Sequence, residues 1–381
     1  MIDRDKNLIC PISNNKKFEK LFSLNDFPIY MGVVNKNKKY EYLDQVFRIN
    51  KSSGTVQIYP RVPLKKLYFK SHGSGKIGNI WKNHHQKFFS FINKYLQNDV
   101  LEIGGGHNSI SNIFNKTKKN TNVNITSFDP NGITLKNVNH KLIKDFFNSK
   151  NLKKYKVKKK FNLILHSHLF EHIYSPRNFL KLINQILDEK GHHVFSVPNI
   201  GKMIKNGYAN GMNFEHPFFL DEKMLDYLLK KENFKIIKKI YFQSSHSIFY
   251  LTKKTKTKYK KNFSFYSKNK RIFKILNNKW KSDISNINKK IKSKKNVFIF
   301  GAHIFSQNLI FNKLNVGKIK YVLDNDPDKI NNYLYGTDLK VKSPKILKKY
   351  KFPTVILRAG PYNSEIKKNI LKFINKKTTF I

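Results

Sequence analysis

The stretch Val100-Leu101-Glu102-Ile103-Gly104-Gly105-Gly106 decides how this chain is read. Its first part is apolar except for Glu102, and it ends in three glycines. That is the pattern of a buried strand running into a turn with unusual backbone angles. In sheets of parallel strands, ligands bind at the carboxyl ends, where such turns converge. Working outward, NITSFDP (124–130) reads as the next strand and ends at Asp129. KLIKDFF (141–147), FNLILHSH (161–168) and HHVFSVPN (192–199) read as a third, fourth and fifth strand. PRNFLKLINQILDEKG (176–191) carries apolar residues at helical spacing and is expected to stop at Gly191. The alternation predicts βαβ units and an α/β fold with a largely parallel sheet.

Asp129 follows the glycines by roughly 20 residues, the position from which a carboxylate accepts hydrogen bonds from both ribose hydroxyls of a nucleoside. A dinucleotide fingerprint G-x-G-x-x-G needs a further glycine at 109, where Ser109 stands. That glycine allows close packing around a pyrophosphate. Its absence, together with Glu102, points to a nucleoside without pyrophosphate: S-adenosylmethionine (SAM) rather than NAD.

Four regions separate along the chain. Residues 1–75 are short apolar pieces broken by Asn, Lys, Gly and Pro, which predicts a small β-rich module. Residues 76–255 hold the strands above. Residues 256–289 read as a basic linker or helix. Residues 290–381 open a second βαβ series with NVFIFGAHIF. The chain has 75 Lys+Arg against 24 Asp+Glu, a formal net charge of +51. Such a balance suits nucleic acid or an acidic membrane, or it reflects compositional bias. The lysines are spread through every segment, and no aromatic-glycine stacking signature for RNA is present, so bias is favoured. The charge still favours a phosphate-bearing substrate. The single cysteine, Cys10, excludes an intrachain disulfide and suits a reducing compartment. The charged N-terminal stretch and the lack of an apolar run of ~20 residues predict a cytoplasmic protein without a membrane span.

VLEIGGGHNSISNIF, NITSFDP and LILHSHLFEHIYSPRNFLKLINQILDEKGHHVFSVPN together resemble the successive motifs of Rossmann-fold SAM-dependent methyltransferases. The resemblance implies that Glu102 and the backbone of Gly104, Gly105 and Gly106 hold the methionine part of SAM, and Asp129 the ribose. Asp145 and the Phe146 backbone would lie at the adenine, with Ser167 and His168 on the methyl side. His166, His168 and His172 have H-x-H-x3-H spacing, which can hold a metal. Their place after the fourth strand favours lining the cofactor and substrate, and no metal is expected.

The flanking regions resemble a narrower family, the three-domain nucleotide-sugar C-methyltransferases. The C-terminal segment resembles that family's second Rossmann-like, substrate-binding domain, with Gly301-Ala302-His303 as the turn after its first strand and Asp324 ending its second. Those residues either bind a nucleotide or merely shape the turn. Tyr362, Asn363 and Glu365 match its last motif and imply a substrate-binding role for Tyr362. The N-terminal region resembles the family's zinc module, but its two cysteine pairs are replaced by Cys10 with Ser13 and Asn50 with Ser53. One thiolate does not make a structural zinc site, so no zinc is expected there. His72, His84 and His85 lie in the stretch that leads into the methyltransferase region, and His72 and His84 are candidate substrate contacts. The family's Tyr-His-Glu-His segment after the fifth strand is here Asn213-Phe214-Glu215-His216. The resemblance makes His216 the candidate base, Glu215 its partner and Asn213 a substrate contact. The expected activity is methyl transfer to a nucleotide-linked keto-sugar in surface-glycan synthesis. The missing tyrosine leaves open O- or N-methylation of another small molecule. Nucleic-acid methylation is disfavoured, because His166-Ser167-His168 stands where an Asn/Asp-Pro-Pro-aromatic motif would hold a flipped base.

Overall fold

The computed structural model describes residues 8–36, 39–68, 78–96, 98–105, 123–135, 139–259 and 264–381. The chain packs into two compact units, one of Met1–Gly73, Ile200–Phe219 and Ser264–Ile381, the other of Ser74–Asn199 and Leu220–Phe263. No helix among the described residues is long and apolar enough to cross a membrane.

The first unit begins with β1 (Phe18–Pro28), β2 (Val33–Val34), β3 (Tyr42–Asn50) and β4 (Val56–Tyr59). β1, β3 and β4 form an antiparallel sheet in that order. The four positions matched to zinc-module cysteines come together beside it. Cys10 Sγ lies 3.2 Å from Ser53 Oγ, and Ser53 Oγ and Ser13 Oγ lie 3.2 and 3.1 Å from Asn50 Oδ1. Thr55 Oγ1 and the Asn15 carboxamide extend the network at 2.9 and 2.6 Å. A closed set of hydrogen bonds thus joins the two loops.

The second unit opens with α1 (Asn79–Asn93), followed by β5 (Asp99–Ile103), β6 (Asn124–Phe128), β7 (Asn139–Ile143) and β8 (Phe161–Ser167). Helix α2 (Pro176–Ile186) leads into β9 (Leu187–Pro198). After α3 (Glu222–Lys231) come β10 (Phe234–Phe242) and β11 (Ser247–Lys254). The strands make one seven-stranded sheet in the order β10-β11-β9-β8-β5-β6-β7. β11 alone runs against its neighbours, antiparallel to both β9 and β10. The others are parallel, as the nearly continuous apolar strands require. The chain leaves β5 on one side to make β6 and β7 and returns on the other to make β8. The carboxyl end of β5 is therefore a topological switch point, where ligands bind in such sheets.

Helix α2 ends five residues before the stop expected at Gly191. Strand β9 already starts at Leu187, and Gly191 lies inside it. A Cβ there would sit 3.0 Å from the carbonyl oxygens of Phe161 and Asn162, so the glycine serves close approach of β8, not helix termination. The Asp221 carboxylate caps α3 by accepting the Met224 N–H at 3.0 Å. Asp221→Ala is expected to cost about 1 kcal/mol, read as a lower urea midpoint with unchanged m-value.

The first unit resumes with α4 (Tyr266–Ile291), then β12 (Val297–Phe300), α5 (Ile304–Phe311), β13 (Ile319–Leu323), β14 (Tyr333–Leu334), β15 (Val341–Lys342), β16 (Thr354–Leu357), α6 (Asn363–Phe373) and β17 (Thr379–Phe380). The basic segment is thus a helix with a buried stripe at Phe273, Leu276, Trp280, Ile284, Ile287 and Ile291. Ile284, Ile287 and Ile291 join the apolar core of a five-stranded parallel sheet ordered β15-β13-β12-β16-β17. β14 pairs with β2 of the N-terminal region, which ties the two ends of this unit together.

Candidate active site

The glycine turn stands at the switch point. Glu102 is buried in β5, and the Gly104 N–H bonds the Phe128 carbonyl at 2.9 Å, which locks the turn to the end of β6. Gly104 has φ of 70°, and a Cβ there would lie 2.8 Å from Leu169 Cδ1. Only glycine takes this conformation and this approach without strain. Asp129 sits at the end of β6, its N–H on the Ile143 carbonyl and its Oδ1 accepting the Asn131 N–H at 2.7 Å. Glu102, Gly104, Gly105 and Asp129 thus share one corner of the sheet, an acid and open backbone on β5 beside an acid on β6. That corner suits the amino-acid and ribose parts of SAM. Gly106 and Ser109 lie outside the described residues.

Asp145 follows β7. The Phe146 N–H, at 2.9 Å, holds its carboxyl below the usual carboxylate range, with Lys154 and Tyr155 adding to the effect. The Phe146 ring is exposed. On the other side of β5, Ile103 pairs with His166, so Ser167 and His168 follow at the carboxyl end of β8, next to the end of β5. His168 has φ of 49°, left-handed backbone that a residue with a Cβ adopts at a cost.

Around His168 lies a cluster that sequence reading found only in part. His84 in α1 is fully buried, its Nε2 on Ser196 Oγ at 2.9 Å. His246, in the turn before β11, has Nδ1 on Ser247 Oγ at 2.6 Å, and the same hydroxyl meets His168 Nε2 at 2.8 Å. Glu171 Oε1 lies 3.4 Å from His168 Nδ1. Trp81 packs its ring 4.8 to 5.3 Å from the rings of His84, His168 and His246. Burial, aided by the neighbouring imidazoles, holds His168 and His246 down at about 3, and pushes His84 further down. The three rings are neutral at physiological pH. His166 belongs elsewhere: its Nε2 meets His193 Nε2 at 3.1 Å in the interior, against Phe170, Phe179 and Phe195. His84 was legible as a candidate, but Trp81, His246 and Ser247 carried no motif, and Glu171, inside the LILHSHLFEHIYSP motif, was given no role. His72 lies outside the described residues.

The remaining candidates belong to the first unit. Asn213 Oδ1 accepts the N–H groups of Glu215 and His216 at 2.8 and 3.1 Å, a side-chain turn that fixes both residues. His216 Nδ1 lies 2.8 Å from the Asn210 carbonyl, so Nδ1 carries the proton and Nε2 is the basic nitrogen. Glu215 is buried. After β12, the Asp324 carboxylate accepts the Ala302 and Asp326 N–H groups and pairs with Lys329, closing the Gly301 turn on itself. Tyr362 ends the short turn before α6.

Residues 80–239 match the sequence family of the methyltransferase domain. No curated protein sequence matches the chain. Among solved structures, the chain is similar to a SAM-dependent methyltransferase from Clostridium acetobutylicum, at 15% identity and a TM-score of 0.34 over 45% of this chain and 92% of that one. It is also similar to 1,6-didemethyltoxoflavin-N1-methyltransferase from Burkholderia thailandensis, at 13% identity and a TM-score of 0.39 over 56% of this chain and 98% of that one. The family match, laid over the seven-stranded sheet and its glycine corner, identifies residues 80–239 as a SAM-dependent methyltransferase domain of Rossmann type.

Proposed function

We propose that the enzyme methylates a nucleotide-linked keto-sugar, with His216 as the base and Glu215 as its partner. SAM supplies an electrophilic sulfonium methyl, so the protein has to align the acceptor in line with it and take up one proton. Glu102 and the Gly104–Gly106 backbone hold the methionine part, Asp129 the ribose, Asp145 and Phe146 the adenine end, and Ser167 and His168 border the methyl side. His216 Nε2 takes the proton beside the sugar ketone, and the enolate carbon so formed would receive the methyl group as its bond to sulfur breaks and S-adenosylhomocysteine leaves. The observation that carries the base assignment is the Asn213 turn, which fixes Glu215 and His216 together, with the Asn210 carbonyl setting the His216 tautomer. The second parallel sheet and the +51 charge support an acceptor that bears a nucleotide diphosphate. The same turn favours one alternative. The Asn213 oxygen is committed to backbone and supplies no acid where the resemblance places a tyrosine, which suits O- or N-methylation of another small molecule.

Labelled methyl transfer from SAM to a panel of nucleotide keto-sugars, with NMR to locate the methyl, tests the reading. His216→Asn is expected to lower kcat by about 10²- to 10⁴-fold while SAM affinity stays within about threefold. Transfer to none of the sugars, with transfer to a simple hydroxyl or amine acceptor instead, would select the alternative.

A further inference from the structure

The His84, His168 and His246 cluster asks for more than packing. Three neutral imidazoles from α1, from the turn after β8 and from the turn before β11 converge at the carboxyl end of the sheet. Each offers one ring nitrogen, and the three nitrogens lie within 4.8 Å of one another. Their ring centroids form a triangle of 5.1, 5.5 and 5.8 Å. His84 and His246 are buried, and among the described residues the buried His84 Nδ1 has no hydrogen-bond partner. An unmet polar atom of this kind costs roughly 1–3 kcal/mol unless something completes it.

We propose that His84, His168 and His246 form a binding site for a divalent transition-metal ion, with Zn2+ fitting the donor set. Three imidazoles select zinc-like ions over Mg2+ and Ca2+, which want oxygen ligands. Tetrahedral coordination at ~2.0–2.1 Å places ligand nitrogens about 3.4 Å apart, so small ring movements close the set. The surroundings supply what such a site needs. Glu171, itself buried, lies 3.4 Å from His168 Nδ1 and orients that ring while balancing charge. Ser247 Oγ, 2.8 Å from His168 Nε2 and 2.6 Å from His246 Nδ1, gathers these two nitrogens in one place, and an ion bound through His168 Nε2 displaces that hydroxyl; Ser196 holds His84 Nε2 and leaves its Nδ1 to ligate. Trp81 covers the triangle at 4.8 to 5.3 Å. Three protein ligands leave a fourth position, the arrangement of sites that act on a bound oxygen. Because His168 directly follows β8, whose end pairs with the end of β5, that position belongs to the sheet end that holds the cofactor corner. An ion there lowers the pKa of a bound water or acceptor hydroxyl. This set is distinct from the zinc module resembled by the N-terminal region, and the sequence spacing of positions 84, 168 and 246 gives no hint of it.

The test uses the full-length protein, stripped with a chelator and titrated separately with Co2+, Zn2+ and Mg2+. One equivalent each of Co2+ and Zn2+ is expected, with a four-coordinate Co2+ visible spectrum and Zn–N distances of ~2.0–2.1 Å by X-ray absorption. Mg2+ should not compete. His168→Asn and His246→Asn should each abolish the Co2+ spectrum. Glu171→Gln, which leaves all three ligands in place, should weaken Co2+ binding about 10- to 100-fold. Circular dichroism and SAM calorimetry on the same samples separate loss of metal from loss of fold or of cofactor binding. Absence of bound Co2+ and Zn2+ in the unmodified protein, or metal binding that survives both histidine substitutions in folded protein, overturns the proposal.

Discussion

Replacing Asp129 by Asn weakens SAM binding about 100-fold while leaving the fold intact. On the assignment of Asp129 to the ribose, its carboxylate accepts two hydroxyl hydrogen bonds. Hydrogen bonds to a charged acceptor are worth about 1.5–3 kcal/mol each. A carboxamide keeps one oxygen and presents an NH2 to the second hydroxyl, so roughly 2.7 kcal/mol, or two decades in Kd, is lost. The structural duties of the side chain survive the change. Oδ1 accepts the Asn131 N–H at 2.7 Å, which an Asn oxygen does equally well, and the Asp129 N–H on Ile143 is backbone. Calorimetry of SAM binding beside thermal denaturation decides it. An unchanged Kd would move the ribose away from Asp129 and with it the orientation of SAM in the corner.

The corner was legible because its chemistry is local in sequence. A buried strand, three glycines and an acid at the end of the next strand all lie within residues 100–129, and the pattern needs no long-range information. The largely parallel character of the sheet followed from the same apolar runs. What sequence missed had two causes. Gly191 was read as a helix stop because glycine ends helices, whereas here the backbone of β8 approaches so closely that a side chain is excluded from β9. Tertiary approach overrode a local propensity. The histidine cluster was missed because its members come from a helix, a strand end and a hairpin turn, joined only by the fold. Trp81, Ser196 and Ser247 gain meaning only once those three elements meet. At Asn213, which sequence placed as a substrate contact, the structure adds a local role: its oxygen accepts the Glu215 and His216 N–H groups.

Restoring cysteines at Ser13, Asn50 and Ser53 creates a zinc site in the N-terminal region and produces the largest stability change available there. The geometry is already present. Side-chain atoms of Cys10 and Ser53, Ser53 and Asn50, and Asn50 and Ser13 lie 3.2, 3.2 and 3.1 Å apart. Four thiolates around Zn2+ at ~2.3 Å stand about 3.8 Å from one another, so the side chains at 10 and 53 separate by only a fraction of an ångström, and the chain at 50 adjusts because a cysteine Sγ stands one bond nearer the backbone than Asn Oδ1. The two loops are built alike. Each places a left-handed residue directly after the second position of its pair, Asn14 with φ of 55° and Gly54 with φ of 74°. The Ser13 N–H already reaches Cys10 Sγ at 3.4 Å, which stabilises a thiolate. Without metal, S13C/N50C/S53C is less stable than the native chain, because neutral hydrogen bonds worth about 0.5–1.5 kcal/mol each are lost. With Zn2+ at 1,000 times its Kd the folded state gains about 4 kcal/mol, so the order reverses. Thermal denaturation with and without a chelator measures both halves of the argument. Metal analysis should find one equivalent of Zn2+ per chain beyond whatever the native protein holds, and the single variant S13C should add none. A triple variant that takes up no extra Zn2+ would mean that the loops at 10–13 and 50–53 are held together by the hydrogen-bond network itself, and separate once it is removed.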